Sequence, residues 1–209
     1  MTSSIAKTVF DYLDSDKGAT DAMRRGIANL SAIAENVRAE CALPKSSYFA
    51  VKAAVRRYGE RLEKYDSSVD LRKLVKKTKV SIRSSVAVIR TPAKFRQLLK
   101  LREIERNARD FSLIESENAI TIIIDDEYAD EALSQLGRAN VLQVERGLHM
   151  ISLVSPQELE KVPGFVAFAT DLLARAGINI KECFSCYTDT VFILEKEDAM
   201  RAFRILDRF

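Results

Sequence analysis

The sequence predicts an α+β protein, with an all-helical N-terminal domain followed by two ferredoxin-like βαββαβ domains. Three observations support this. Apolar residues recur at helical spacing through residues 1–66, the pattern changes to alternation from Lys79 onward, and the second part of the chain repeats itself at an offset of 70 residues. The predicted domains are 1–77 (helical domain with a basic linker), 78–145 and 146–209.

Composition places the chain among globular proteins with a substantial core. It has 209 residues, of which 47% are hydrophobic and 30% charged. No run of eighteen apolar residues occurs, and the first residues lack the arrangement of a signal peptide. Three cysteines are too few for a disulfide framework. We therefore expect a cytoplasmic protein without a membrane partner.

Charge is distributed unevenly along the chain. Residues 1–109 hold 24 Lys and Arg against 12 Asp and Glu, a net charge of +12, and residues 110–209 hold 9 against 18, a net charge of −9. Six basic residues and no acidic one lie between Leu71 and Arg83. The asymmetry indicates either a contact with nucleic acid or another polyanion, or an attraction between the two halves.

The N-terminal domain contains a basic helix. Leu43-Pro44 interrupts the pattern, and Val51, Val55, Tyr58, Leu62 and Tyr65 then form one apolar stripe. A short helix, a break and a basic helix are compatible with a helix-turn-helix, so DNA binding is one hypothesis. A helical oligomerisation or docking module is the other, because Glu60 and Glu63 dilute the basic side. The candidate nucleic-acid-binding residues are Lys45, Lys52, Arg56, Arg57 and Arg61.

The first repeat is predicted to begin with a strand that ends at Pro92. A helix follows from Ala93 to about Asp110, and then two strands, a helix and a strand at Val141 to Val144. A turn at Glu145-Arg146-Gly147 is expected to form a hairpin with the next strand, Leu148 to Val154. The second repeat then reads βαββα, with its later strands at Ile178 to Phe184 and Thr190 to Leu194, and it lacks a last strand of its own.

The repeat itself is visible in the sequence. Thr121 to Leu133 aligns with Val191 to Phe203, and the same offset places Phe95 on Phe165. Between the two strand regions of the second copy lies a helix with both ends marked. Pro163 suits its first turn, and Gly177 suits the left-handed conformation that ends a helix. Free N–H groups at its start favour a small anionic ligand.

These segments resemble a known family. Met150 to Val154, Val162 to Phe165 and Leu173 to Ile180 resemble an ACT domain, and with the preceding repeat they are most similar to the paired ACT region of aspartate kinases. The resemblance implies amino-acid binding and side-by-side pairing into an eight-stranded sheet, within the chain or between copies in a homo-oligomer. The ligand-binding residues that it implies are Val162, Pro163, Gly164, Phe165, Val166, Ile178, Asn179 and Ile180.

The sequence also departs from that family. A kinase catalytic domain and a phosphate-binding Gly-rich loop are absent from it, so kinase activity is not implied. The first copy has Arg90-Thr91-Pro92-Ala93-Lys94 where the second has Pro-Gly, and it lacks the Gly-Ile-Asn motif. That copy is expected to be structural.

The remaining candidates for chemistry are few. Cys183 and Cys186 have C-x-x-C spacing without a second pair, and His149 is the only histidine. The run Asp125 to Glu127 is better explained by the start of a helix than by a metal. We expect no catalytic residues, no metal and no cofactor.

The function predicted from these observations is a non-catalytic, amino-acid-sensing regulator of amino-acid metabolism. Ligand binding by the ACT pair would change how the helical, DNA-binding modules of two protomers are presented. The alternative is a regulatory subunit that binds and controls a separate amino-acid biosynthetic enzyme.

Overall fold

A computed structural model describes residues 4–62, 68–93 and 101–208. They divide into two compact units, the helical unit (Met1–Ser68) and the C-terminal unit (Val69–Phe209). Glu63, Tyr65 and Phe95, on which parts of the sequence interpretation rest, lie outside the described residues.

The helical unit contains four α-helices in its described part, which confirms the all-helical prediction. Three of them begin at side-chain caps: Ser4 accepts a hydrogen bond from the Lys7 N–H at 3.3 Å, Asp16 accepts one from the Ala19 N–H at 2.9 Å, and Asn29 accepts one from the Ser31 N–H at 3.1 Å. The core is formed by apolar residues from all four helices, with Val9, Leu13, Val37 and Val51 fully buried. The helices are α1 (Ile5–Ser15), α2 (Lys17–Arg24), α3 (Leu30–Glu40) and α4 (Tyr48–Leu62).

Tyr58 of α4 is buried in this core and makes a hydrogen bond through its hydroxyl group. Its hydroxyl donates to Asp14 Oδ1 at 2.7 Å, and its ring packs edge-on against Phe10 at a centroid distance of 5.3 Å. Burial, followed by the hydrogen bond to Asp14, raises the pKa of Tyr58 from 10.0 to about 12. The phenolate is therefore disfavoured in the folded state.

We expect the helical unit to lose stability as the pH rises above 10. The folded-state pKa of Tyr58 exceeds its unfolded value, so the stabilisation is complete below pH 10 and decreases by roughly 1.4 kcal/mol per pH unit until about pH 12. Urea unfolding between pH 8 and about pH 11.5 measures this. The Tyr58→Phe variant, which has no phenol at this position, should show a shallower decline; equal slopes would contradict the assignment.

The C-terminal unit combines an antiparallel sheet with helices, which confirms the predicted α+β class, but its strands form one six-stranded sheet in the order β2-β3-β1-β4-β6-β5. Of the predicted helix from Ala93 to Asp110, the described residues contain only the end, α6. The elements are α5 (Ser68–Val75), β1 (Lys79–Pro92), α6 (Arg102–Asn107), β2 (Phe111–Glu115), β3 (Ala119–Asp125), α7 (Ala129–Leu136), β4 (Gln143–Val154), α8 (Phe165–Arg175), β5 (Glu182–Cys186), β6 (Asp189–Leu194) and α9 (Lys196–Leu206).

Two long strands, β1 and β4, serve both repeats. The second half of β1 pairs with β3 and with the first half of β4, whereas residues 79–83 of β1 pair with residues 150–154 of β4. The fourth strand that the second repeat lacks is therefore supplied by residues 79–83, at the start of β1. The predicted hairpin at Glu145-Arg146-Gly147 is wrong, because β4 runs through these residues as one strand.

Each long strand contains an irregularity where it passes from one repeat to the other. The register shifts between Arg83 and Val86 in β1, where Ser85 has φ 60°, and again opposite Gly147 of β4, where φ is 68°. Extra residues of this kind bend a strand and increase its twist. A glycine adopts the positive φ at 147 without steric cost.

The two halves of the sheet fold towards each other at these bends. The helices cover two apolar clusters on one side of the sheet, yet Val88, Ile123 and Ile193 on the other side are also fully buried. Arg90 Nε of β1 reaches Glu182 Oε1 of β5 at 3.0 Å. In a flat sheet, strands three places apart would be separated by roughly 14 Å. Within the described chain, the repeats thus do not form the eight-stranded side-by-side sheet implied by the resemblance.

Candidate functional site

The candidate ligand site lies where β4 leads into α8. Gly164 occupies the position before the helix with φ 99°, and it has no side chain that could cap the first turn. The first backbone bond of the helix runs from the Phe168 N–H to the Gly164 carbonyl at 2.8 Å. The N–H groups of residues 165–167 therefore receive no side-chain cap and face an anion favourably. Pro163 precedes the capping position, rather than lying in the first turn as predicted.

The other end of α8 is closed as predicted. Gly177 has φ 67°, its N–H donates to the Ala174 carbonyl at 2.9 Å, and the Ile178 N–H donates to the Leu173 carbonyl at 3.0 Å. This pattern satisfies the last carbonyls of the helix. Ile178 is buried in the same apolar cluster as Leu173.

A cavity of about 470 Å³ opens at the start of α8. This is within the usual range for small-molecule sites, about 300–1,000 Å³. One side is the loop and first turn of the helix, and the other is the connection between β5 and β6. The lining residues are Ser155, Pro156, Leu159, Glu160, Val162, Gly164, Phe165, Val166, Ala167, Ser185, Tyr187, Thr188 and Thr190.

The structure brings together four of the eight residues that the resemblance implies. Val162, Gly164, Phe165 and Val166 line the cavity, and Pro163 lies in the same loop without lining it. The segment Ile178 to Ile180 follows the far end of α8, an eleven-residue helix of about 16 Å. Ile178 is buried there, Asn179 is exposed and Ile180 is half-buried.

Sequence reasoning missed the hairpin side of the cavity. Thr188 accepts a hydrogen bond from the Ser155 N–H at 2.9 Å, and this bond joins the β5–β6 turn to the end of β4. The sequence placed β5 at Ile178 to Phe184, whereas it runs from Glu182 to Cys186. The correct bounds put Tyr187 and Thr188 in a two-residue turn, and that tight connection was the signal that could have identified them.

Helix α5 forms a further wall beside this site. Leu71 Cδ2 is 3.8 Å from the position that a Cβ on Gly164 would occupy. Leu71, Leu74 and Val75 pack into the cluster that contains Phe165. The Thr78 hydroxyl, just after α5, is 3.1 Å from the hydroxyl of Ser155, which lines the cavity.

The chemistry of the cavity suits a small zwitterion. Glu160 is the one charged side chain among its lining residues, and the start of α8 contributes backbone N–H groups. Hydroxyls of Ser185 and Thr190 lie 3.2 Å apart, and Phe165 and Val166 add apolar surface. An α-carboxylate at the helix start and an ammonium group near Glu160 would both be favourable.

Titratable groups outside the cavity do not form a metal site in the part of the chain described. No group of three or more His, Cys, Asp or Glu side chains there is placed to hold a metal ion. Cys183 and Cys186 are free and exposed. Asp125 is buried, and it accepts hydrogen bonds from the Arg109 N–H at 2.8 Å and the Asp110 N–H at 3.3 Å. It therefore fixes the start of β2.

The candidate nucleic-acid residues lie on the exposed side of the helical unit. Lys45 is in a short 3-10 turn, and the other four project from α4, where Arg56 pairs with Glu60 at 3.2 Å. The connection between α3 and α4 spans the seven residues 41–47, whereas a helix-turn-helix uses about three or four. Phe49 is 81% exposed beside these basic residues. None of the helices that the described residues form is suited in length and apolarity to crossing a bilayer.

Comparisons with known proteins agree with this geometry. The family model of the ACT domain matches residues 143–208. No curated protein matches the chain. Among solved structures, the regulatory subunits of aspartate kinase from Thermus thermophilus (TM-score 0.50, 20% identity) and Thermus flavus (TM-score 0.50, 16% identity) match 62% and 63% of this chain and 94% and 95% of their own.

An aspartate kinase from Clostridium acetobutylicum matches 62% of this chain with a TM-score of 0.52 and 13% identity, but the match covers only 33% of the kinase. The matched part of this chain thus spans about a third of that enzyme's length. At these identities the structures show the fold alone. Residues 143–208 match the ACT-domain model, and the fold of the C-terminal unit resembles that of aspartate kinase regulatory subunits.

Proposed function

We propose that this protein is a non-catalytic regulator that binds an amino acid in the cavity at the start of α8. The observation that carries the proposal is the coincidence of an ACT domain with an open cavity at an uncapped helix start. The α-carboxylate would accept from the N–H groups of residues 165–167, and Glu160 would attract the α-ammonium group. The ligand's side chain would contact Val166 and Phe165.

We further propose that a second copy of the chain completes this site. The segment Ile178 to Ile180 is about one helix length from the cavity of its own copy, so it can contribute only to the cavity of another copy. A homodimer that brings the exposed Asn179 and the half-buried Ile180 to that cavity would add two of the residues that the ACT resemblance implies, whereas Ile178 stays in the interior of its own copy. Sedimentation of the protein with and without ligand tests this arrangement.

Titration calorimetry of the purified chain against each of the twenty amino acids tests the binding proposal. We expect heat from one amino acid or a few chemically related ones. No binding to any of them would contradict the proposal.

Replacing Gly164 by alanine is expected to weaken ligand binding at least several-fold. At φ 99° an L-residue is strained, so the capping position should shift and misplace the N–H groups of the first turn. The matched control is Gly177→Ala at the other end of α8, where φ is 67° and no atom lies within 4 Å of the new methyl group.

Both substitutions should lower stability by about 1 kcal/mol, because both place alanine in the left-handed region. Only Gly164→Ala should change the dissociation constant measured by calorimetry. Equal loss of affinity in the two variants would indicate a general effect of stability.

Helix α5 is the proposed route from the ligand to the helical unit. Leu71 of α5 lies next to Gly164, and the hydroxyl of Thr78, just after α5, contacts the hydroxyl of Ser155 in the cavity wall. In the chain, α5 follows the helical unit. A ligand that reorders the loop 155–164 would therefore shift α5. The ligand shifts α5 only if its affinity differs between the position of α5 described here and the shifted one.

We propose that the helical unit binds DNA and that amino-acid binding changes this affinity. The exposed basic side chains of α4 support it, and a selection from random duplexes, with and without the bound amino acid, tests it. Lys52→Gln, Arg57→Gln and Arg61→Gln together should lower the affinity. Absence of affinity at low salt would contradict DNA binding while leaving amino-acid binding intact.

The second candidate is a regulatory subunit for a separate biosynthetic enzyme. Phe49 and Ile27 on the helical unit are 81% and 64% exposed, and large exposed apolar side chains favour a protein partner. Co-purification of such an enzyme after nuclease treatment would support this candidate. Loss of the enzyme in a Phe49→Ser variant would locate the contact.

A further inference from the structure

Four exposed lysines between residues 73 and 79 of the C-terminal unit have no ion-pair partner among the residues that the structure describes. Every exposed side chain that the structure describes between residues 71 and 79 is a lysine. Among the described residues none of these lysines has an ion-pair partner, whereas many other basic residues of the unit do. The basic strip consists of Lys73, Lys76, Lys77 and Lys79. The paired residues are Arg83, Arg90, Arg109, Arg146, Arg175, Lys181 and Arg201.

The basic strip is held on a fixed backbone. The Lys77 N–H donates to the Leu74 carbonyl at 2.9 Å, and the Thr78 N–H donates to the Val75 carbonyl at 3.0 Å. Lys79 is paired with Val154 in the β1–β4 ladder. The backbone that carries these lysines therefore does not need to be ordered when a partner binds, which reduces the entropic cost of the contact.

The position of the strip concentrates its charge. Lys76 and Lys77 follow the last residue of α5, where the carbonyl end of a helix stabilises cations. The apolar residues of α5, Leu71, Leu74 and Val75, are used in the interior cluster. The outward side thus has ammonium groups without apolar surface among them.

This composition distinguishes between classes of partner. Protein interfaces have an apolar centre and are depleted in lysine. Contacts with the phosphates of nucleic acid need only positive charge, and ammonium groups supply it without reading bases. The side chains of the strip offer no paired donor and acceptor for a base edge.

We propose that the basic strip of the C-terminal unit binds the phosphate backbone of duplex nucleic acid, independently of its sequence. This contact is separate from the one proposed for α4 and does not depend on amino-acid binding. The four lysines contact up to four phosphates and release the counterions held there. The strip thereby adds affinity, while any sequence preference comes from elsewhere in the chain.

The test is the salt dependence of binding of the full chain to a random duplex of about 30 base pairs, followed by fluorescence anisotropy. Each phosphate contact contributes about 0.9 to the slope of log K against log salt. Replacing all four lysines by glutamine should therefore reduce the slope by roughly 3 to 4 and weaken binding at least tenfold at low salt.

The matched control carries the same loss of charge elsewhere in the unit: Arg102, Arg106, Arg204 and Arg208, all exposed, changed to glutamine. We expect it to retain most of the slope. An equal reduction of the salt slope in both variants would mean that the lysines attract the duplex only through net charge and do not contact its phosphates, which would overturn the proposal. An unchanged slope in the lysine variant would also overturn it.

Two further measurements separate the strip from the other proposals. When the α4 changes Lys52→Gln, Arg57→Gln and Arg61→Gln are added to the strip variant, the salt slope should fall further. If α4 makes no contact with the duplex, the α4 changes leave the slope unchanged, and the strip variant still shows its reduction of roughly 3 to 4. Vesicles of phosphatidylserine and phosphatidylcholine test a membrane instead. Binding to vesicles that the lysine variant loses, with duplex binding unaffected, would overturn the assignment to nucleic acid.

Discussion

A chain that begins at Ser84 is expected to be largely unfolded, whereas a chain that begins at Ser68 folds. The shorter fragment keeps all of residues 143–208, which match the ACT-domain model, but it loses residues 79–83, which form the ladder with residues 150–154 of β4. It also loses α5. Without residues 79–83, the backbone N–H and C=O groups of residues 150–154 that face β1 would lose their hydrogen-bond partners, and β4 would become an edge strand there.

The expected loss is large because the missing segment also packs into the core. Leu71, Leu74, Val75, Val80 and Ile82 all contact the apolar cluster that contains Phe165. At about 1 to 2 kcal/mol for each partly or fully buried side chain, their removal costs on the order of 5 kcal/mol or more. That is comparable with the whole stability of a typical domain, about 5–15 kcal/mol.

Circular dichroism and urea unfolding of the two fragments measure this difference. The fragment from Ser68 should show one cooperative transition. If the fragment from Ser84 unfolded at the same urea concentration, residues 79–83 would not be a functional fourth strand.

Replacing Arg90 by methionine is expected to destabilise the C-terminal unit by about 2 to 4 kcal/mol. Arg90 Nη1 donates to Glu145 Oε1 at 2.7 Å, and Arg90 Nε donates to Glu182 Oε1 at 3.0 Å. The three side chains are only 18–22% exposed. Removal of the cation leaves two half-buried carboxylates facing each other across the folded sheet, with Lys181 as the remaining cation beside Glu145.

Arg146→Met is the matched control. Arg146 also binds two carboxylates, those of Asp126 and Asp130, but its side chain is 41% exposed, so the loss should be below about 1 kcal/mol. Urea unfolding at neutral pH compares the two variants. Equal losses of unfolding free energy in the two variants would mean that the contacts of Arg90 with Glu145 and Glu182 stabilise the unit no more than an exposed ion pair does.

The same network predicts the response to acid. Hydrogen bonds from Lys181 and then from Arg90 hold the pKa of Glu145 below its ordinary value of 4.5. Its stabilisation is therefore present above pH 4.5 and is lost as the pH falls through the lowered value. The Arg90→Met variant should lose less stability than the wild type between pH 5 and pH 3.

Sequence patterns identified those features of the fold that depend on neighbouring residues in the chain. Both ends of α8 follow from residues within the helix or next to it, and the Gly177 end was predicted correctly. The hairpin at Glu145-Arg146-Gly147 was predicted by the same kind of signal, since glycine between two apolar runs is typical of a turn. It was wrong because the pairing of β4 with β1 joins residues more than fifty positions apart, and no local pattern specifies it.

The candidate site shows the same limit. The loop Val162 to Val166 was identified through a motif, whereas Tyr187 and Thr188 reach the cavity only through the antiparallel pairing of β5 with β6. Burial of Ile178 depends on the packing of α8 against the sheet. The domain limits at residues 78–145 and 146–209 stay a prediction.

The exchange of strand segments between the repeats has a consequence for how the C-terminal unit unfolds. Residues 79–83 complete the second repeat, and the first half of β4 completes the first, so neither repeat has a full sheet without the other. Local opening of one repeat must therefore expose backbone of its neighbour. Hydrogen exchange of the central amides of both repeats should report a single free energy of opening, because the duplicated sequence has become one cooperative folding unit.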